Sequence, residues 1–208
     1  MNKPKSDPFP GFSVQPVVTC DQIKFQVIDA PYRQITEVPE YLFSDIRPDD
    51  LVLDVGANIG AFCLRAARFS PHVTAVEPVT ADLLEENVRL NHADVRIIRG
   101  ALGTGKPAEI SWDGYRLLSP TYTLGKLIGM AGGCDFLKSD CEGAEWLIQP
   151  RDLEGIRRIE MELHIPPISA PPNPALLDYI WDKYTFSLDR SPVYSPFGVM
   201  GILHATLK

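Results

Sequence analysis

The sequence predicts an α/β fold: an open, mostly parallel sheet of seven strands, helices on both faces, and a C-terminal antiparallel hairpin. Three observations predict it. From residue 51 to 164, apolar runs of strand length alternate with segments of helical period, the pattern of βαβ units. The first unit, Leu51-Val52-Leu53-Asp54-Val55-Gly56-Ala57-Asn58-Ile59-Gly60, is an apolar strand running into a glycine-bounded turn, a Rossmann-like form in which backbone can approach a nucleotide. Residues 185–188 and 199–207 are two strand-like runs with no helical segment between them, so they pair antiparallel.

Residues 1–12 are rich in Pro, Gly and charge and read as a loose arm. Residues 14–20 and 23–28 read as short strands around Asp21-Gln22. In the second, Ile23, Phe25 and Val27 alternate with Lys24 and Gln26, the period of a half-buried strand. A short helix is expected over 39–46. Residues 1–48 thus form an N-terminal extension that covers part of the site and is too small to fold alone. Residues 49–208 form the ligand-binding domain.

Within that domain, residues 51–55 make a continuous apolar run, as a strand buried on both faces requires. Ile59, Phe62, Cys63, Ala66 and Ala67 follow at i, i+3, i+4, i+7 and i+8, one face of a helix. Residues 73–76 are the second strand. Thr80 stands where an N-cap is needed for a helix packing Leu83, Leu84 and Val88, with Asp82 in its first turn. Residues 95–102 are the third strand, 108–112 an edge insertion and 124–130 a short helix. The fourth strand, 134–139, leads into a helix through Trp146, and 156–164 is the fifth. After a proline-dense loop, Asn173 caps a helix with Pro174 at its first position and Leu177, Ile180, Trp181 and Tyr184 on its packing face.

A chain of 208 residues fits one domain with a full core. Its 20 Lys and Arg stand against 27 Asp and Glu, a formal net charge of −7. Such a surface does not attract polyanions, whereas nucleic-acid enzymes draw affinity from a basic face. Cys20, Cys63, Cys134 and Cys141 show no C-x-x-C spacing and read as reduced thiols of a cytoplasmic protein. The first eight residues lack the apolar core of a signal peptide. No apolar run approaches the ~18 residues that span a bilayer, so no membrane partner is expected.

The glycine turn alone does not choose a ligand, since Gly56 and Gly60 could simply end a strand and open a helix. A dinucleotide fingerprint needs a glycine where Asn58 stands, because a side chain there blocks the pyrophosphate. Asp54 adds a negative charge at the same place. It suits a ligand carrying an ammonium and a sulfonium, such as S-adenosyl-L-methionine, and a charge-assisted bond to a carboxylate contributes about 1.5–3 kcal/mol. Glu77, at the end of the next strand, suits the ribose hydroxyls.

Asp54-Val55-Gly56-Ala57-Asn58-Ile59-Gly60 and Val76-Glu77-Pro78 resemble the first two motifs of class I S-adenosylmethionine-dependent methyltransferases. Phe136-Leu137-Lys138-Ser139-Asp140-Cys141-Glu142-Gly143-Ala144-Glu145 resembles the LK-x-D-x-EGAE signature of the FkbM family, many of whose members are assigned as O-methyltransferases. Thr123-Leu124 and Ile159-Glu160-Met161-Glu162-Leu163-His164 extend the likeness over about residues 50–165. Gly125 stands where the family has aspartate. The resemblance implies that Asp54, Gly56, Ala57, Asn58 and Gly60 line the methionine part of the cofactor, that Glu77 holds the ribose, and that Gly100, Ala101 and Leu102 flank the adenine.

Ligands of open α/β sheets sit beyond the carboxyl ends of the strands, which places Asp140, Glu142 and His164 near the transferred methyl. Asp140 could cap the next helix or act as base. Glu142 suits a first helical turn or a substrate contact, and His164 a loop or a general base. Asp140, Glu142, Glu160 and Glu162 are oxygen donors of the kind a divalent cation takes, but nothing fixes a third ligand, so no metal is expected. The expectation is methyl transfer to a hydroxyl of a small, sugar-like acceptor. RNA methylation competes, because Leu84-Glu85-Glu86-Asn87-Val88-Arg89-Leu90-Asn91 is similar to a segment of tRNA-modifying members of the fold. The acidic balance opposes it, as does the absence of an Asn/Asp-Pro-Pro-Tyr/Phe motif after the fourth strand. A cofactor-binding module without catalysis is a third reading, left open by Gly125.

Overall fold

The computed structural model describes residues 16–27, 36–112, 114–190, 196 and 198–208, with Tyr115 described by its backbone alone. The loose arm expected over 1–12, and the ends of the two strands expected at 14–15 and 28, lie outside the described residues.

A seven-stranded sheet carries the molecule. Its strands, in chain order among the others, are β3 (Val52–Val55), β4 (Val73–Glu77), β5 (Val95–Arg99), β10 (Phe136–Ser139), β11 (Arg158–His164), β12 (Tyr184–Arg190) and β13 (Val199–Leu207). They lie in the order β12-β13-β11-β10-β3-β4-β5. The five strands from β11 to β5 are parallel, and β13 runs antiparallel to both β11 and β12. This is the expected sheet with its terminal hairpin. The chain fills one side through β4 and β5, then crosses to β10 and β11, so strand order reverses between β3 and β10. Ligands bind at such reversal points.

β3, β4 and β10 are buried at every residue, as the apolar run at 51–55 predicts for β3. Each also buries a charge, Asp54, Glu77 and Lys138, and a buried charge requires a partner. Helices α1 (Ala61–Ala66), α2 (Ala81–Leu90), α3 (Leu124–Ala131) and α4 (Pro174–Lys183) cover the sheet. Asn173 caps α4 as expected, its side chain accepting from Ala175 N. Thr80 does not cap α2 through its side chain. Its hydroxyl instead donates to Asn58 Oδ1 at 3.3 Å.

Four expectations are corrected. The segment after β10 forms a 3-10 turn, Ala144–Leu147, in place of a longer helix. Glu142 and Gly143 are left-handed (φ 53° and 99°), and Gln149 before Pro150 is extended, as a residue preceding proline prefers. The third strand breaks at Gly100, where a Cβ would stand 2.7 Å from the Tyr122 ring; β6 (Ala101–Leu102) then pairs with β9 (Thr121–Tyr122). The insertion is a hairpin of β7 (Ala108–Trp112) and β8 (Tyr115–Ser119). At residues 43–45 a single 3-10 turn replaces the expected short helix.

The N-terminal extension pairs β1 (Val17–Val18) with β2 (Lys24–Phe25) and buries Ile23, Phe25, Val27, Tyr41 and Ile46 in the core that holds Phe62 and Leu83. Asn87 of α2 and Asn91 at its C-cap join it through their side chains: Gln26 N donates to Asn87 Oδ1 at 2.6 Å and Lys24 N to Asn91 Oδ1 at 2.9 Å. Both asparagines of the segment similar to tRNA-modifying enzymes therefore have a structural task. Arg65 of α1 forks onto Asp21, with Nε at 2.9 Å from Oδ2 and Nη2 at 3.1 Å from Oδ1. Burial opposes ionisation of Asp21, but the Thr19 hydroxyl and the Arg65 and Arg68 charges outweigh it and hold the carboxyl below its usual value. A depressed folded pKa stabilises the fold above the ordinary carboxylate value, and the contribution is lost as pH falls through the folded one. Asp21→Asn is expected to cost about 1–2 kcal/mol at neutral pH and nothing in strong acid. Urea melts at pH 7 and pH 2.5 check this; an equal deficit at both would refute the charge pairing.

Candidate active site

A cavity of about 690 Å³, part of it open to solvent, lies at the carboxyl ends of β3, β4 and β10. Gly56, Asn58, Glu77, Ala101, Leu102, Asp140 and Glu142 line it together. These residues come from four stretches of chain, and the sequence proposed every one of them for the site. Ile110, Ser111 and Trp112 of the β7–β8 hairpin also line it.

Glu77 is held by backbone: Oε1 accepts from Val79 N at 2.7 Å and Thr80 N at 3.0 Å, and Oε2 from Asn58 N at 2.8 Å. A carboxylate has about four acceptor sites, so capacity remains for a ligand hydroxyl. These bonds draw the turn after β3 onto the end of β4. Asn58, left-handed at φ 49°, supplies one of them. Left-handed non-glycine residues are uncommon, and both Asn58 and Glu142 line this cavity.

Asp54, Ala57, Gly60 and His164 are not among the cavity's lining residues. Asp54 is fully buried, with Lys138 Nζ 3.1 Å from its Oδ1. Burial raises its pKa, and the Lys138 charge opposes the rise. The cation Asp54 faces is therefore internal, a correction to its expected contact with the ligand. Lys138 Nζ also donates to Gly56 O at 2.8 Å and lies 3.8 Å from Asp140 Oδ2. Ala57 is buried and donates to Val76 O at 3.1 Å. Gly60 opens α1 at φ 100°, where a Cβ would press on Leu84 at 2.8 Å; its role is packing.

His164, 1 % exposed, has Nδ1 at 3.1 Å from Glu145 Oε1 and Nε2 at 3.3 Å from Glu162 Oε2 and 3.5 Å from Glu142 Oε2. Burial works against its charge, but Glu145 and Glu162 prevail and push its pKa up to about 10. The ring's nitrogens are turned to Glu145, Glu162 and Glu142, and His164 is not among the residues that line the cavity. Glu162, driven mainly by burial and next by Asp140, rises to about 7. Burial also raises Glu142, with the His164 charge opposing. Asp140 does not cap the following turn, whose cap position is Gly143. Its carboxylate accepts from Tyr41 OH at 3.5 Å, a contact from the N-terminal extension. Glu145 holds the loop, accepting from Gly143 N at 2.9 Å and His164 N at 2.7 Å. Sequence reasoning missed Lys138, Glu145 and Tyr41 as site-building groups. For the first two the signal was present: charged residues on a strand and a turn that otherwise bury.

Gly125, in the place of the family's aspartate, has the Asp152 carboxylate 2.8 Å from where its Cβ would be. An aspartate there would set two carboxylates against each other.

No protein-family model matches the chain. Over 67 residues it is 37% identical to the Methanothermobacter thermautotrophicus protein named "Probable ribosomal RNA small subunit methyltransferase A", a match covering 31% of this chain and 24% of that one. The match thus spans about a quarter of that relative's length. Among solved structures, the chain is similar to an rRNA methylase from Streptococcus thermophilus (TM-score 0.53, 11% identity, 88% of this chain and 99% of that one). It is also similar to a candidate methyltransferase, yhhF, from Escherichia coli (0.54, 14%, 95% and 99%). A candidate O-methyltransferase from Klebsiella pneumoniae gives 0.51, 16%, 88% and 82%. At these identities the likeness is one of fold. The seven-stranded sheet with its terminal hairpin is the fold these methyltransferase structures share.

Proposed function

We propose that the chain transfers the methyl group of S-adenosylmethionine to a hydroxyl of a small, sugar-like acceptor, as an FkbM-type enzyme. One observation carries this reading: a single cavity is lined by Gly56, Asn58, Glu77, Ala101 and Leu102 together with Asp140 and Glu142. The nucleoside would lie over Glu77 and between Ala101–Leu102 and Trp112. The methyl would then face the carboxylates beyond β10. In the reaction the acceptor oxygen attacks the methyl carbon, the C–S bond breaks with its electron pair going to sulfur, and the hydroxyl proton leaves to a base or solvent. The sulfonium already activates the methyl, so alignment is the protein's main contribution, about 7–11 kcal/mol in favourable cases.

Calorimetry with S-adenosylhomocysteine tests the donor half; a folded chain that binds none at millimolar ligand would sink the proposal. Trp112→Ala should weaken binding by roughly 5- to 150-fold, since stacking a base on an aromatic ring contributes about 1–3 kcal/mol. Unchanged affinity would remove the adenine from that wall.

RNA methylation is the second reading, supported by the 67-residue likeness to a protein named for ribosomal RNA. The acceptor end opposes it, because Asp140, Glu142 and Glu162 would face a phosphate backbone. Salt-sensitive binding of bulk tRNA or rRNA would favour it. Donor binding without turnover over a broad acceptor panel would favour a module without catalysis.

A further inference from the structure

The donor atoms of Asp140, Glu142 and His164 lie within 4.8 Å of one another, two of the residues in the loop after β10 and one at the end of β11. His164 is buried, and its Nδ1 rests on Glu145 Oε1, a residue with no exposure of its own. That contact fixes the ring with Nε2 toward Glu142 and Glu162, at 3.5 and 3.3 Å. A carboxylate behind one imidazole nitrogen, with the other nitrogen turned to further oxygens, is how proteins orient a metal-ligating histidine. Lys138, 3.8 Å from Asp140, is shared with Asp54 and Gly56 O.

We propose that Asp140, Glu142 and His164 bind a divalent metal cation at the acceptor end of the cavity, with Glu162 beside it. Ligands about 2.1 Å from an ion stand roughly 3.0–4.2 Å apart. Closing this set therefore takes a small contraction, which Glu142, half-exposed, can make. One imidazole and two carboxylates suit a first-row ion such as Mn2+ or Zn2+ better than Ca2+, which takes six to eight oxygens. The fold supplies the third ligand that the sequence lacked. Glu160, grouped there with Glu162, is instead spent on Arg158 and on His204, 2.6 Å away.

Three protein ligands leave positions open on the ion, and the Asp140 and Glu142 side faces the cavity. Resting on the methyltransferase reading, those positions would take two neighbouring oxygens of the acceptor, as in a vicinal diol or an α-hydroxy acid. The ion would lower the pKa of the hydroxyl to be methylated. Loading releases the Nε2 proton to solvent.

The test is calorimetry of the chelator-treated full chain with MnCl2 and ZnCl2, together with the Mn2+ paramagnetic resonance signal. One ion per chain is expected. Glu142→Gln, at a half-exposed side chain, should weaken binding at least 10-fold, and Glu145→Gln, which touches the ring and not the ion, by about 10- to 100-fold. No stoichiometric binding of either ion to folded protein overturns the site, as does binding that Glu142→Gln and Asp140→Asn leave unchanged. S-adenosylhomocysteine titrated into the same samples separates the two proposals. If it binds where no metal does, the metal site fails and the donor reading stands. If metal binds where it does not, the site stands and the donor reading fails.

Discussion

Lys138→Met is expected to destabilise the folded chain by about 3–5 kcal/mol, the cost of leaving a buried charge without its partner. Lys138 and Asp54 are register partners on β10 and β3, in the middle of the sheet, with side chains 4 % and 0 % exposed. Methionine fills the same volume but supplies no charge to Asp54 and no donor to Gly56 O. Burial already raises Asp54's pKa with the lysine present; without it the carboxyl must take up a proton to stay in the sheet. With the folded pKa above the unfolded one, the folded state binds more protons between the two values. Stability then falls as pH rises through that interval, so the variant should be least impaired in acid. At about 2–4 °C per kcal/mol for a chain of this size, the melting temperature at pH 7 should drop by roughly 10 °C. Asp54→Asn added to Lys138→Met should restore most of the loss, the signature of a coupled pair. Equal melting of wild type and Lys138→Met would refute the account.

That pair shows what kind of information a sequence holds. The sheet was legible because strands buried on both faces are mostly apolar, and β3 and β4 read that way even though each carries one buried acid. Their acids could be placed at strand ends but not oriented, since the direction of Asp54 depends on a lysine far along the chain that reaches it only after β10 lies beside β3. The same holds for His164. Its position at the end of β11 was readable, yet its protonation is set by Glu145 in a turn that the sequence suggested was helical. Conversely, Glu77 was placed correctly by its strand alone. The loop amides it accepts, Val79, Thr80 and Asn58, are local to the first βαβ unit, so its surroundings followed from the nearby chain.

Gly56→Ala is expected to lower S-adenosylhomocysteine affinity by 100-fold or more and stability by about 2–4 kcal/mol. Two effects add. At φ 77° an alanine costs about 1–2 kcal/mol by backbone strain alone. Its Cβ would also lie 1.7 Å from Asp140 O and 2.7 Å from Asp140 C, a position no rotamer relieves, because the obstacle is backbone. Asp140 N in turn donates to Val55 O at 2.9 Å, so the ends of β3 and β10 are pinned together and the clash must push the Asp140 loop away. Misplacement of about 1 Å at a reacting centre can cost on the order of 100-fold. Gly105→Ala separates the two effects. It has φ 87° with nothing within 4 Å of the added carbon, and should cost only the strain and leave binding unchanged. The sequence assigns Gly56 to close approach of a ligand, whereas the geometry assigns it to close approach of β10. Wild-type affinity in Gly56→Ala with an intact fold would mean that the Asp140 loop can move without consequence for the donor, and would detach the two ends of the cavity from each other.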